Sequence, residues 1–118
     1  MQYMIMALET GDDFAARNDP ARVGDYWNAW GAYVQAIGAS GKLVHAAGLE
    51  DPSTATSMTV RNGVRNVVDG PFADGKEQLG GYFVIDVDNL DEALEWAQRC
   101  PSSLSGSVEV RPLLPPMG

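Results

Sequence analysis

Cysteine, histidine and positive charge are all scarce in this chain, and each scarcity closes off a class of function. Cys100 is the only cysteine, so no internal disulfide can form, which suits a reducing compartment. One cysteine and one histidine, His45, cannot supply the several ligands that a zinc site needs. Cys100 also ends an apolar helical stripe just before Pro101, with no base near it in sequence, so it reads as core packing rather than as a nucleophile. Eight Lys and Arg stand against 16 Asp and Glu, for a net charge of −8. That field repels phosphate backbones and anionic lipid surfaces. The bases Arg61, Arg65, Lys76, Arg99 and Arg111 are scattered rather than striped, so neither nucleic acid nor membrane is expected as a partner. No apolar run is long enough to span a membrane. The start, MQYMIMALETGDDF, lacks the basic opening of a signal peptide, and a cytoplasmic location is expected. The stretch GPFADGK ends like a phosphate loop but continues with Glu and lacks the glycine spacing. No serine sits on a nucleophile elbow.

What remains is the patterning of a small mixed domain. The chain has 118 residues, enough for one domain over 1–118 with one core. The short apolar run 3–8, YMIMAL, reads as a strand buried on both faces, and TGDDFAARNDP after it as a polar loop. Asp19 is expected to cap a helix with Pro20 in its first turn. Tyr26, Trp27, Trp30, Tyr33, Val34 and Ile37 then recur at helical spacing as one wide core-facing stripe, which ends near Gly38 and Gly41. KLVHAA (42–47) reads as a second strand and GLEDPSTA as a loop. TSMTVR and VRNVV form a hairpin around Asn62-Gly63, since a type I′ turn needs positive φ at both central residues. GYFVIDV is a further strand. Asn89 with Glu92 makes a capping box for a helix with a Leu90, Ala93, Leu94, Ala97 stripe and Trp96 beside it. Pro101 ends that helix, and SVEVRPL is the last strand. The order β-α-β, hairpin, β-α-β predicts an α+β, ferredoxin-like fold with an antiparallel sheet.

The strands carry a second implication. Phe83, Ile85 and Val87 point one way, Tyr82, Val84 and Asp86 the other, and both sets of the first strand are apolar. Two helices cover one sheet face only. A second copy of the same sheet is the economical cover for the other, which predicts a homodimer with its sheets face to face.

Two residues stand out for chemistry. His45 is the one side chain that exchanges protons readily near neutral pH; on a regular strand it shares a face with Leu43. Asp69 ends an apolar strand before Gly70-Pro71, where the chain is permissive on one side and stiff on the other. Such a turn serves to reverse the chain, with Asp bonding nearby backbone N–H groups. It would equally serve to aim a carboxylate at His45 and make a general base of it.

The stretch VVDGPFADGKEQLGGYFVIDVDNLDEALEWAQRCP, followed by GSVEVRPL, resembles the DGPF-domain proteins, a branch of the YCII-related superfamily. The residues that carry the likeness are Asp69-Gly70-Pro71-Phe72, Lys76-Glu77, Gly80-Gly81, Tyr82-Phe83, the Asp-Glu-Ala of 91–93 and the EVRPL ending. YMIMAL and GLEDP match as well. The resemblance implies a dimeric α+β barrel. It also implies that the histidine and aspartate of YCII-like proteins correspond to His45 and Asp69, lining a cleft as an acid/base pair.

Two functional readings follow. One is a cofactor-independent proton-transfer or elimination enzyme, lyase- or isomerase-like, acting on a small anionic molecule. There His45 moves the proton, Asp69 orients it, Lys76 or Arg111 holds the anion, and Tyr82 and Phe72 wall the cleft, although Phe72 also fits core packing. The other is a small-molecule-binding or regulatory module linked to transcription through sigma factors.

Overall fold

A computed structural model describes residues 1–72 and 75–116; Ala73 and Asp74 of the DGPFADGK loop, and Met117 and Gly118 of the tail, lie outside the described residues. In chain order the elements are β1 (Gln2–Thr10), α1 (Gly11–Ala16), α2 (Val23–Ala39), β2 (Leu43–Gly48), a 3-10 turn (Pro52–Thr54), β3 (Thr56–Arg61), β4 (Val64–Asp69), β5 (Glu77–Asp86), α3 (Leu90–Arg99), α4 (Ser102–Ser105) and β6 (Ser107–Pro112). Four strands form one sheet in the order β2-β5-β1-β6, every described pairing in it antiparallel. Each crossover skips one strand, which is the ferredoxin-like arrangement expected from the element order. The β3–β4 hairpin does not join this sheet but stands as a two-stranded sheet of its own. Its turn is the one expected: Asn62 and Gly63 sit at φ 52° and 76°.

The core lies between the sheet and α2 and α3. Tyr3, Ile5 and Ala7 of β1 and Phe83 and Ile85 of β5 meet Tyr33 and Ile37 of α2 and Ala93 and Ala97 of α3. Cys100 completes that core, and burial pushes its thiol pKa up against the opposing effect of Ser102, as suits a packing thiol. In α3 only the small residues of the stripe are buried; Leu90 and Leu94 are exposed. Asn89 accepts from the Glu92 backbone N–H as a cap should, but Glu92 reaches back to Asp88 N rather than to Asn89.

β1 is buried on one face rather than both. Tyr3, Ile5, Ala7 and Glu9 are buried, while Met4, Met6 and Leu8 are only half-buried on the side away from the helices. The residues 11–16, expected as loop, form α1 instead. Thr10 and Asp13 make the reciprocal pair of a capping box, Asp13 N donating to Thr10 Oγ1 at 3.1 Å and Thr10 N to Asp13 Oδ2 at 2.9 Å, and Phe14 anchors the turn in the interior. Asp19 organises a turn ahead of α2 rather than capping it. Its carboxylate accepts from Ala21 N and Arg22 Nε, and regular helix begins at Val23. Gly41, at φ 76°, supplies the left-handed residue after the helix end.

The radius of gyration is 16.1 Å, against about 13 Å for a close-packed domain of this length. The projecting hairpin accounts for the difference. The thinnest dimension, 18 Å, reflects one sheet with helices on one face only.

Candidate functional site

Two register slips decide which side chains meet. In β2, Leu43 pairs with Ile85 but His45 pairs with Val84, so Val44 is an extra residue and the strand bulges there. Side chains of paired residues share a face. Leu43 therefore packs on the helix side with Ile85, and His45 turns to the open face with Val84. The expectation that His45 and Leu43 share a face is corrected by this bulge. In β5, Ala7 pairs with Gly81 and Leu8 with Leu79, so Gly80 is the extra residue of a second bulge.

On the open face, His45 Nε2 lies 2.9 Å from Tyr82 Oη. Arg111, Met4, Val84 and His45 form one transverse row across the four strands. Arg111 thus stands three strand spacings from His45, about 14 Å, and its guanidinium is paired with Glu109 at 2.6 Å. Asp69 sits on the separate hairpin, cross-strand from Thr56. The turn after it is well held: Gly70 has φ 97°, its N–H donates to Ala55 O at 2.7 Å and its carbonyl accepts from Ser57 Oγ at 2.6 Å. Among the described residues no hydrogen bond or ion pair joins Asp69 to His45. Phe72 is 68% exposed, so it is not core. Lys76 lines a shallow groove with Thr10, Phe14, Asp51 and Pro52. Of the six expected site residues, the structure brings His45 and Tyr82 into contact and spreads the others.

A better-formed cavity lies on the other face. A cleft of about 500 Å³ opens between α2, the end of β2 and the Gly80 bulge. Its walls are Trp27, Trp30, Val34 and Phe83. The wide stripe of α2 is thus divided. Tyr33 and Ile37 are buried core, whereas Trp27 is 50% exposed and Val34 also faces outward. Trp30 lies parallel to Phe83 with centroids 6.3 Å apart, which fixes that wall.

The cleft ends on a buried polar cluster. Glu9 is the last inward residue of β1 and is 2% exposed. Its carboxylate accepts from the Tyr26 hydroxyl and from Arg17 Nη2 at 3.0 Å. Arg17 follows α1, and each of its nitrogens donates. Nε gives to Tyr26 Oη at 2.9 Å and Nη1 to Leu49 O at 2.6 Å. Its guanidinium also lies over the Phe14, Tyr26 and Trp27 rings, 4.8 to 5.5 Å from their centroids. Burial pulls the Arg17 pKa down, but the hydrogen bond and charge of Tyr26 and the carboxylate of Glu9 outweigh it and the net shift is upward. Burial, then the Glu9 hydrogen bond, push the Tyr26 phenol up to about 12 against the pull of Arg17. Tyr26 is therefore a protonated hydroxyl at neutral pH, donating to Glu9 and accepting from Arg17 with one lone pair unused, and its side chain is part of the cleft lining. Among the described residues no buried side-chain nitrogen or oxygen lacks a partner, and no three His, Cys, Asp or Glu converge as metal ligands.

Sequence reasoning passed over Glu9 and Arg17 and favoured core packing over a ligand box for the aromatic stripe that contains Tyr26. One signal was available: Tyr3, Ile5, Ala7 and Glu9 alternate along β1, which puts an acid at an inward position.

Among solved structures, the chain is similar to 5-chloro-2-hydroxyhydroquinone dehydrochlorinase (TftG) of Burkholderia phenoliruptrix AC1100, determined with 2,5-dihydroxybenzoquinone. The TM-score is 0.53 at 14% identity, covering 97% of this chain and 94% of that one, a likeness of fold. An uncharacterised protein of Rhizobium meliloti (strain 1021) is 43% identical over 83 residues, 69% of this chain and 64% of the relative's length. The YCII-related domain matches residues 1–116. With the ferredoxin-like sheet already traced over that same span, the chain belongs to the YCII-related family.

Proposed function

We propose that this protein is a cofactor-independent proton-transfer enzyme acting on a small ring-shaped molecule held in the α2 cleft. The observation that supports this reading is the buried Glu9 carboxylate, shared by Tyr26 and Arg17 at the closed end of an aromatic-walled cavity. A ligand proton reaches Glu9 through Tyr26, which accepts it on the remaining lone pair while giving its own proton to the carboxylate. Returning the proton to another ligand atom is isomerisation. Loss of an anion with the electron pair of its bond is elimination. Neither consumes an oxidant or reductant. The dehydrochlorinase that shares the fold carries out an elimination, which makes chloride release from 5-chloro-2-hydroxyhydroquinone and related chlorinated hydroquinones the first assay. Release well above the uncatalysed rate is expected, falling about 10²- to 10⁴-fold in Glu9→Gln. No release from any of these rings would favour a binding or regulatory module instead.

A second reading keeps the proton transfer and moves it to the open face, supported by the 2.9 Å contact of His45 with Tyr82. Asp69 would then have to reach His45 through a movement of the hairpin or from a second copy. The same assay separates the readings: His45→Ala abolishes release in the second and spares it in the first.

Under either reading a second copy covers the open face, where Met4, Met6 and Leu8 are only half-buried. Light scattering at micromolar concentration is expected to return twice the chain mass, and the mass of one chain would retire the dimer.

A further inference from the structure

We propose that the ligand of the α2 cleft is uncharged: a flat ring bearing a hydroxyl, not the anion expected from the sequence. This rests on the cleft being the working site.

The argument is one of charge and unspent hydrogen bonds. Among the described residues lining the cleft, Arg17 is the only cation, and its three nitrogens already donate to Tyr26, Leu49 O and Glu9. A ligand carboxylate or phosphate would have to share that one positive charge with the buried Glu9, whose carboxylate already matches it, so a second anion gains little there. Glu50 also lines the cleft and adds repulsion to the chain's acidic field. A cation gains little at the closed end, because Glu9 is already neutralised by Arg17 and capped by Tyr26.

What the cleft does offer matches a neutral ring. Trp27 presents a half-exposed indole, and Trp30, Phe83 and Val34 add apolar wall. Tyr26 offers one acceptor lone pair, which a ligand O–H can meet. A few placed polar groups in a mostly apolar cavity are how small-molecule sites fix orientation. The same lone pair is the one through which a proton would leave for Glu9, so recognition and chemistry meet at one atom.

Three probes sharing one methylated ring test this: 4-methylphenol, 4-methylbenzoate and toluene. The readout is the indole N–H signals in a nitrogen-correlated NMR spectrum. The chain has three tryptophans, and Trp96, on α3 outside the cleft, is the internal reference. 4-Methylphenol is expected to shift Trp27 and Trp30 saturably, with a Kd on the order of a millimolar for so small a ligand, and to leave Trp96 in place. Toluene binds about fivefold more weakly, the worth of one neutral hydrogen bond, and Tyr26→Phe removes that difference. 4-Methylbenzoate binds at least about tenfold more weakly than 4-methylphenol, because the one cation of the cleft lining is already paired with Glu9 and Glu50 repels an anion. Equal or tighter binding of 4-methylbenzoate overturns the proposal, as does failure of 4-methylphenol to saturate or shifts that spare Trp27 and Trp30. If 4-methylphenol binds as expected and no chlorinated ring is turned over, the enzyme reading falls and this one stands. If turnover is found but carboxylated rings are preferred, this inference falls and the enzyme reading stands.

Discussion

Replacing Gly80 with alanine is expected to destabilise the fold by on the order of 3–5 kcal/mol, the cost of breaking a buried ion pair from one side. On general grounds the change should help, since alanine loses less chain entropy than glycine on folding. Space reverses the sign. A Cβ at Gly80 would overlap Glu9 Oε2 and stand only 2.7 Å from Glu9 Cδ. Elsewhere a carboxylate at the end of a flexible side chain would swing away. Here Glu9 is 2% exposed and held from two sides by Arg17 and Tyr26. The alanine methyl and the carboxylate cannot both occupy the bulge, so the carboxylate leaves and Arg17 loses its charge partner. Urea unfolding measures the loss. The control is the same substitution placed in a Glu9→Ala, Arg17→Met background, where the methyl has room and the cost should drop below about 1 kcal/mol. A loss of several kcal/mol that persists in that background would assign the effect to the bulge backbone rather than to Glu9.

The Gly80 bulge also marks where sequence reasoning stops. Strand and helix periods placed the elements in order, and Asn62-Gly63 announced its hairpin, because those signals are local and repeat over several residues. A bulge inserts one residue and reverses every later side chain. Nothing in LVHAA distinguishes a regular strand from one that slips at Val44, so His45 was assigned to the wrong partner face. The split of the α2 stripe was hidden for a related reason: Trp27 and Ile37 obey the same helical spacing, and only the position of the sheet edge decides which is covered. The hairpin's departure from the main sheet is a long-range outcome that no local pattern encodes. Likewise the DGPF turn was legible as a held turn, as Gly70 shows, whereas the direction of Asp69 depends on where the hairpin stands. Glu9 was the legible residue that went unread. An acid in phase with Tyr3, Ile5 and Ala7 has to be paired inside, and the nearest following base in the chain is Arg17.

Removing that base is the second large effect. Arg17→Met keeps an unbranched apolar stem, ends short of the guanidinium position, and leaves Glu9 buried with Tyr26 as its remaining partner. The expected loss is again on the order of 3–5 kcal/mol, because an uncompensated buried charge costs more than the intact pair contributes. Part of it comes from packing, since Arg17 also lies over Phe14, Tyr26 and Trp27, and methionine retains some of that contact. The two contributions separate in a cycle with Glu9→Gln, which preserves the shape of the acid and its bond from Tyr26 but removes the charge. If the charge dominates, the Arg17→Met, Glu9→Gln double variant is more stable than Arg17→Met alone by roughly 1–3 kcal/mol, within the range of couplings between contacting residues. If packing dominates, the second substitution brings no recovery. The outcome bears on function as well as folding. A Glu9 carboxylate that depends on Arg17 for its burial stands beside an open cleft, and the proposed proton transfer requires that same pair to be intact.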